Sequence, residues 1–274
     1  MKNFILTIST FLFSSSFLFG QHQLTELWVS DKSLPIPESV LYVPGKQELY
    51  VSLIEGDGME KDGKGGIAIL NMDGSLKSAD WITGLNAPKG LALHNELLYI
   101  ADIDEIVVVN VTLGKVIRKI PVPNSTFLND VTVNDFGKVF VSDTRENKIF
   151  QLEKNVVSLY LDEVPSVNGL KFEEHYLYAL AGKELWKIDD KRDHVVIAKD
   201  FEQGGDGLEP VGNGDFLVTC WPGLVYYVKA DGSIEKLLDV QGQMNTADLG
   251  YHPEKKILYI PTFNNNSVIA YQLK

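Results

Sequence analysis

Cysteine is nearly absent from this chain: Cys220 is the only one among 274 residues. A lone cysteine cannot close an internal disulfide, and without a partner motif nearby it reads as a small buried apolar residue rather than a nucleophile. Positive charge is also scarce. The chain carries 25 Lys and Arg against 37 Asp and Glu, for a formal net charge of −12. A surface of that sign repels nucleic-acid phosphates and anionic lipid, which excludes nucleic acid as a main partner but says nothing about which small-molecule substrate or ligand binds. No G-x-S-x-G elbow is present. The five histidines, His22, His94, His175, His194 and His252, are scattered without zinc spacing and read as surface residues. Beyond the first residues, no segment holds a helical period over about a dozen residues.

The first residues form a leader. Lys2 precedes an apolar run from Phe4 to Phe19, Gly20 offers a small residue, and polar sequence begins at Gln21. The run is shorter than the ~20 apolar residues of a spanning helix, and no basic stop-transfer cluster follows it. Residues 1–20 are therefore expected to be a signal peptide. No cysteine near the junction could carry a lipid. The expectation is export to the periplasm or medium, with no stable membrane insertion after cleavage. Residues 21–274 remain as one domain, large enough to bury a core without covalent help.

A repeat dominates that domain. PESVLYV from Pro37, PKGLAL from Pro88, LNDVTV from Leu128, VNGLKF from Val167, GDGLEP from Gly205 and ADLGYH from Ala247 share one pattern. Gly90, Asp130, Gly169, Gly207 and Asp248 then fall 40, 39, 38 and 41 residues apart. Ser39 lies 51 residues before Gly90, the excess matching an insertion around Gly56–Gly66. A second apolar segment follows each first one, centred on Tyr50, Tyr99, Phe140, Tyr178, Leu217 and Tyr259. Alternating runs of Val, Ile, Tyr and Phe, punctuated by MDGS, NDFG and ADGS, read as strand and turn. Six such units predict an all-β, six-bladed β-propeller, because blades repeat every ~40–50 residues around a channel. The last unit holds only three strands, so LTELWVS from Leu24 is expected to add the fourth and close the ring.

In such a ring, inner strands line the channel. The residue before each landmark then faces the mouth: Glu38, Lys89, Asn129, Asn168, Asp206 and Ala247. Singly, each could simply tie strand starts to neighbouring backbone. Together, converging carboxylates repel unless a positive charge answers them. A divalent cation is one answer, and hard oxygen ligands select Ca²⁺ first, then Mg²⁺ or Mn²⁺. The ammonium of Lys89 is the other.

Glu38 in PESVLY, Asn129 in LNDVTV, Asn168 in VNGLKF and Asp206 in GDGLEP resemble the ligand positions of the senescence marker protein/gluconolactonase/luciferin-regenerating enzyme family. The likeness runs through to PTFNNNSVIAYQL at the end of the chain. It implies one divalent cation held by Glu38, Asn168 and Asp206, with Asn129 nearby for substrate or a water; Lys89, from its place in the ring, is expected to bind substrate. It further implies lactone or phosphoester hydrolysis, with Asp206 as the catalytic base activating water. Relatives acting on sugar lactones carry an Arg two residues before the position of Asn129, where this chain has Phe127. The alternative reading is a non-catalytic propeller binding a small molecule or protein at the channel mouth.

Two further stretches qualify this reading. Gly58–Gly65 nearly matches the G-x-x-x-x-G-K-[ST] phosphate loop, but Gly65 stands where the hydroxyl belongs and the segment joins two strands. It reads as a solvated hairpin loop near the mouth, and no nucleotide is expected. Trp221 and Phe263 follow second strands on different blades and could wall a ligand pocket.

Overall fold

The computed structural model describes residues 22–274. The leader and its cleavage point lie outside the described residues. Each repeat unit becomes a four-stranded antiparallel sheet, and the six sheets are neighbours in a ring. The inner strands are Pro37–Val43, Pro88–His94, Leu128–Val133, Val167–Glu173, Leu208–Gly212 and Gly250–His252. The sixth sheet takes its outermost strand from Leu24–Val29, which pairs antiparallel with Val268–Leu273, as the sequence predicts.

Alternation within each blade sends apolar side chains to both sheet faces, and neither face can be buried inside one blade. The core is accordingly six layers between blades rather than one centre. Tyr50, Ile67 and Leu85 of the first blade pack on Leu98, Ile100 and Val107 of the second. Tyr178 and Leu180 of the fourth meet Phe216 and Tyr226 of the fifth. The sixth layer joins Tyr259, Val268 and Ala270 to Leu49 and Val51, sealing last blade to first. Cys220 is fully buried in one of these layers. Burial pushes its thiol up to about 12, which keeps it protonated and unreactive. One surface expectation fails. His252 is 2 % exposed and stacks on Tyr42 with ring centroids 4.3 Å apart, because its strand is an inner one.

The inner strands start irregularly. In the first four blades the ladder to the second strand shifts just after its first pair, at Pro37/Val40, Pro88/Leu91, Leu128/Val131 and Val167/Leu170. The residues skipped in each blade include the mouth residues Glu38, Lys89, Asn129 and Asn168. A bulge re-aims side chains that a regular strand would alternate between faces. Second-strand hydroxyls satisfy the freed N–H groups in the first and third blades, and in the fifth the N–H just ahead of the inner strand. Ser39 N–H donates to Ser52 Oγ (2.9 Å), Asp130 N–H to Ser142 Oγ (2.9 Å) and Gly207 N–H to Thr219 Oγ1 (2.8 Å). Glycine is required where neighbouring inner strands approach closely: a Cβ on Gly90 would sit 2.6 Å from the Cα of Asp130.

Candidate functional site

The bulges and the segment before Leu208 bring Glu38, Lys89, Asn129, Asn168 and Asp206 to one cavity of about 300 Å³. Ala247, the sixth mouth residue, is buried but does not line it. Ile54, Phe127, Trp221 and Phe263 form the walls, and Gly58 contributes from the loop that follows Glu48–Leu53. Trp221 and Phe263 therefore do meet, edge to face, with ring centroids 5.4 Å apart.

Each polar group is held in its own way. Asn168 Nδ2 donates to Asp206 Oδ1 at 2.5 Å. A half-turn of the amide would offer its oxygen to the cavity instead. Asn129 Nδ2 donates to Thr144 Oγ1 (3.1 Å), whose own hydroxyl donates to the Val167 carbonyl (2.8 Å), so this carboxamide is braced across two blades. Lys89 Nζ donates to the carbonyls of Ala87 (3.0 Å) and Gly58 (3.2 Å) and sits 4.6 Å from the centre of the Phe127 ring. An ammonium has three protons, so one remains for a ligand. Among the described residues Lys89 forms no ion pair with either carboxylate. It therefore does not neutralise them by contact.

The consequence is visible on the carboxylates. Glu38 is 5 % exposed and Asp206 4 % exposed. Glu38 Oε2 and Asp206 Oδ2 have no hydrogen-bond partner among the described residues. Burial, then the charges of Asp206, Asp248 and Asp130, push Glu38 well above the usual carboxylate range, with Lys89 opposing. Burial and Asp248 push Asp206 up to about 8 against the Asn168 hydrogen bond. Burial lowers Lys89 against the pull of Glu38 and Asp102. Buried, orphaned carboxylate oxygens mark a place for a positive or donating group. With Asn168 beside them they make a hard-oxygen donor set that fits Ca²⁺, Mg²⁺ or Mn²⁺. No group of three or more His, Cys, Asp or Glu side chains among the described residues is placed to hold one metal ion, so any ion would also need neutral ligands such as Asn168 and water.

Several site features were not foreseen from sequence. Asp143, at the end of a second strand, accepts from Thr126 N–H (2.7 Å) and Phe127 N–H (3.3 Å) through Oδ2. Its Oδ1 accepts from Arg145 N–H (3.2 Å) and Glu146 N–H (3.1 Å). It clamps the loop that presents Phe127 and Asn129. Asp102 does the same for Asn86 and Ala87, just ahead of Lys89. The signal was available: an Asp closes both LLYIAD and KVFVSD. The guanidinium of Arg145 lies 5.0 Å from the Phe127 ring, placing an arginine beside the mouth from a different segment than the family pattern uses. Below the mouth, the channel holds Asp130, Asp248 and the Lys171–Glu209 ion pair (2.7 Å), around a second cavity of about 220 Å³.

Comparison with known proteins establishes the ring and leaves its chemistry open. No protein-family profile and no curated protein matches the sequence. Among solved structures, a streptogramin B lyase superposes with a TM-score of 0.65 at 10% identity, covering 92% of this chain and 97% of that one. A catalytically inactive histidine-to-alanine variant of virginiamycin B lyase from Staphylococcus aureus, with quinupristin, gives 0.64 at 13% identity, covering 93% and 100%. At such identity the likeness is one of fold.

Proposed function

We propose that this chain is an exported hydrolase of lactones or related esters that uses one divalent cation at the channel mouth. The observation that carries the reading is the pair of buried carboxylate oxygens, Glu38 Oε2 and Asp206 Oδ2, without partners at one cavity. Glu38, Asn168 and Asp206 would hold the ion, with Ca²⁺ first and Mg²⁺ or Mn²⁺ as alternatives. When bound, it would supply Lewis-acid polarisation of the scissile carbonyl. Asp206 is the group to take a proton from water. The free proton of Lys89 stabilises negative charge on the carbonyl oxygen, and Asn129, braced by Thr144, orients the substrate. The likeness to lyases supports an enzyme of this fold. The inactive neighbour lost a histidine, and no histidine lines this cavity among the described residues, which favours hydrolysis led by carboxylates.

A specific observation also favours a ligand-binding propeller without catalysis: Lys89 is a buried cation in the same cavity as Glu38 and Asp206. One experiment separates the two. The mature protein is stripped with chelator, and metal content and melting are followed as Ca²⁺ or Mn²⁺ is restored. The hydrolase reading expects one ion per chain, a rise in melting temperature lost in Glu38→Gln, and lactone or ester hydrolysis lost in Asp206→Ala. No ion, no shift and no hydrolysis would leave the binding module.

A further inference from the structure

The walls of the cavity carry information that its floor does not. Ile54, Ala87 and Ile103 form a small buried apolar cluster, with Ile36 and Phe263 packed against it, separate from the six layers between blades. Its backbone is unusual. Left-handed φ values occur at many turns of this chain, nearly all on polar residues or glycine, as steric rules require. Among the described residues the large apolar exceptions are Ile36 (50°), Ile103 (55°) and Phe263 (49°), and all three belong to this cluster. A branched or aromatic residue in that region is strained, and strain persists where surrounding structure imposes it, commonly at functional sites.

The cluster forms an apolar shelf beside the mouth, to which Ile54 and Phe263 contribute cavity wall. Phe263 is aimed by a hydroxyl network: Thr262 Oγ1 donates to the Ser267 carbonyl (2.8 Å) and accepts from Ser267 N–H (3.1 Å). Trp221 leans on Phe263 and remains 41% exposed, an uncovered aromatic face at the rim. Phe127 lines the same cavity, with the Lys89 and Arg145 cations within reach of its ring. Polar groups are confined to the floor and to Lys89.

From this arrangement we infer that the ligand is a compact ester or lactone with an aromatic or branched apolar body, and not a polyhydroxylated sugar lactone. The inference rests on the hydrolase reading for the ester group alone. A sugar ring placed here would turn hydroxyls toward Ile54, Phe127 and Phe263, stripping their water without returning hydrogen bonds. An aryl or branched body buries apolar surface on the same walls and leaves its carbonyl to the floor. The cavity, at about 300 Å³, matches the lower end of the ~300–1,000 Å³ range of small-molecule sites.

The test separates binding from turnover. Calorimetry measures affinity for phthalimidine and for gluconolactam, non-hydrolysable analogues of phthalide and gluconolactone, with and without Ca²⁺. Hydrolysis of the two parent lactones is measured alongside. We expect phthalimidine to bind at least tenfold more tightly than gluconolactam. Phe263→Ala and the exposed-site variant Trp221→Ala, each checked for an unchanged fold by circular dichroism, should weaken phthalimidine about five- to tenfold. Equal or tighter binding of gluconolactam, or no loss in folded Trp221→Ala and Phe263→Ala, overturns the inference. Phthalimidine binding without hydrolysis of phthalide would sink the hydrolase reading and leave this one standing; preferred hydrolysis of gluconolactone would do the reverse.

Discussion

Glu38, Asp130, Asp206 and Asp248 crowd one channel, and burial raises all four above the ordinary carboxylate range. Asp130 reaches about 7 and Asp206 about 8, against 3.8 for an unperturbed Asp. The folded chain therefore keeps protons that the unfolded chain has released. A raised folded value contributes stability below the unfolded one, and that contribution is lost as pH climbs through the folded value. Metal-free protein should lose stability from about pH 4, where the unfolded carboxyls ionise, up to about pH 8, by up to about 1.4 kcal/mol per pH unit for each such carboxyl. Exposed Asp62, Asp73, Asp231 and Asp239 are held below their usual range by neighbouring donors, so they stay ionised throughout and add no slope. Melting scans in chelator across that range read the effect directly. Asp206→Asn should make the profile shallower by up to about 1.4 kcal/mol per pH unit; a profile already flat in the wild type would mean that these groups ionise freely.

At the scale of the strand, the mouth is produced by bulges and, in the fifth blade, by the segment before Leu208, and short polar side chains on the neighbouring strand hold both. Thr219→Val removes the hydroxyl that accepts from Gly207 N–H and donates to the Ala247 carbonyl (2.9 Å). Leaving a buried N–H unmatched costs about 1–3 kcal/mol, so denaturant melts should show a loss of that order with the fold retained. Asp143→Ala should cost more, because four backbone N–H groups lose their acceptor and Phe127 loses its clamp. Its ligand affinity should fall along with its stability, whereas Thr219→Val should spare affinity for ligands held by Phe127. These contrasts also mark what could be read from sequence. The strand-turn rhythm and the residue ahead of each inner landmark were legible because alternation and turn chemistry are local. Ser52, Ser142 and Thr219 were visible two residues after each aromatic or Leu landmark, but their meaning depends on a register shift that only pairing reveals. Phe263 stood out in the sequence as a pocket wall, but the left-handed backbone of Ile36, Ile103 and Phe263 could not be foreseen, since an apolar residue at left-handed φ breaks the local rule on which turn reading relies.

At the scale of the molecule, stability depends on closure. Every blade buries its faces only against two neighbours, so an open ring would expose two apolar sheet faces at once. Closure is made by Leu24–Val29 on Val268–Leu273, extended by Ser30 N–H to the Val268 carbonyl (2.9 Å) and Val268 N–H to Ser30 Oγ (2.9 Å). Trp28 carries the joint onward to the first blade: its indole donates to the Met72 carbonyl (3.1 Å) and its ring lies 5.8 Å from that of Tyr259. Gly74 is shaped to receive it, since a Cβ there would come within 2.5 Å of the indole. One side chain thus spans the seam between the last blade and the first, and the inner strands meet across the same seam, where the Glu38 carbonyl accepts from Asp248 N–H (3.0 Å). Trp28→Ala, from a half-buried site, should cost about 2 kcal/mol and lower the melting temperature by about 5 °C. Because the ring fails as a unit, that drop should appear at one temperature by near-ultraviolet circular dichroism and by ligand binding at the mouth. Separate transitions for the two probes would show that the mouth can persist after the seam has opened, and that closure is not what holds Glu38 against Asp206.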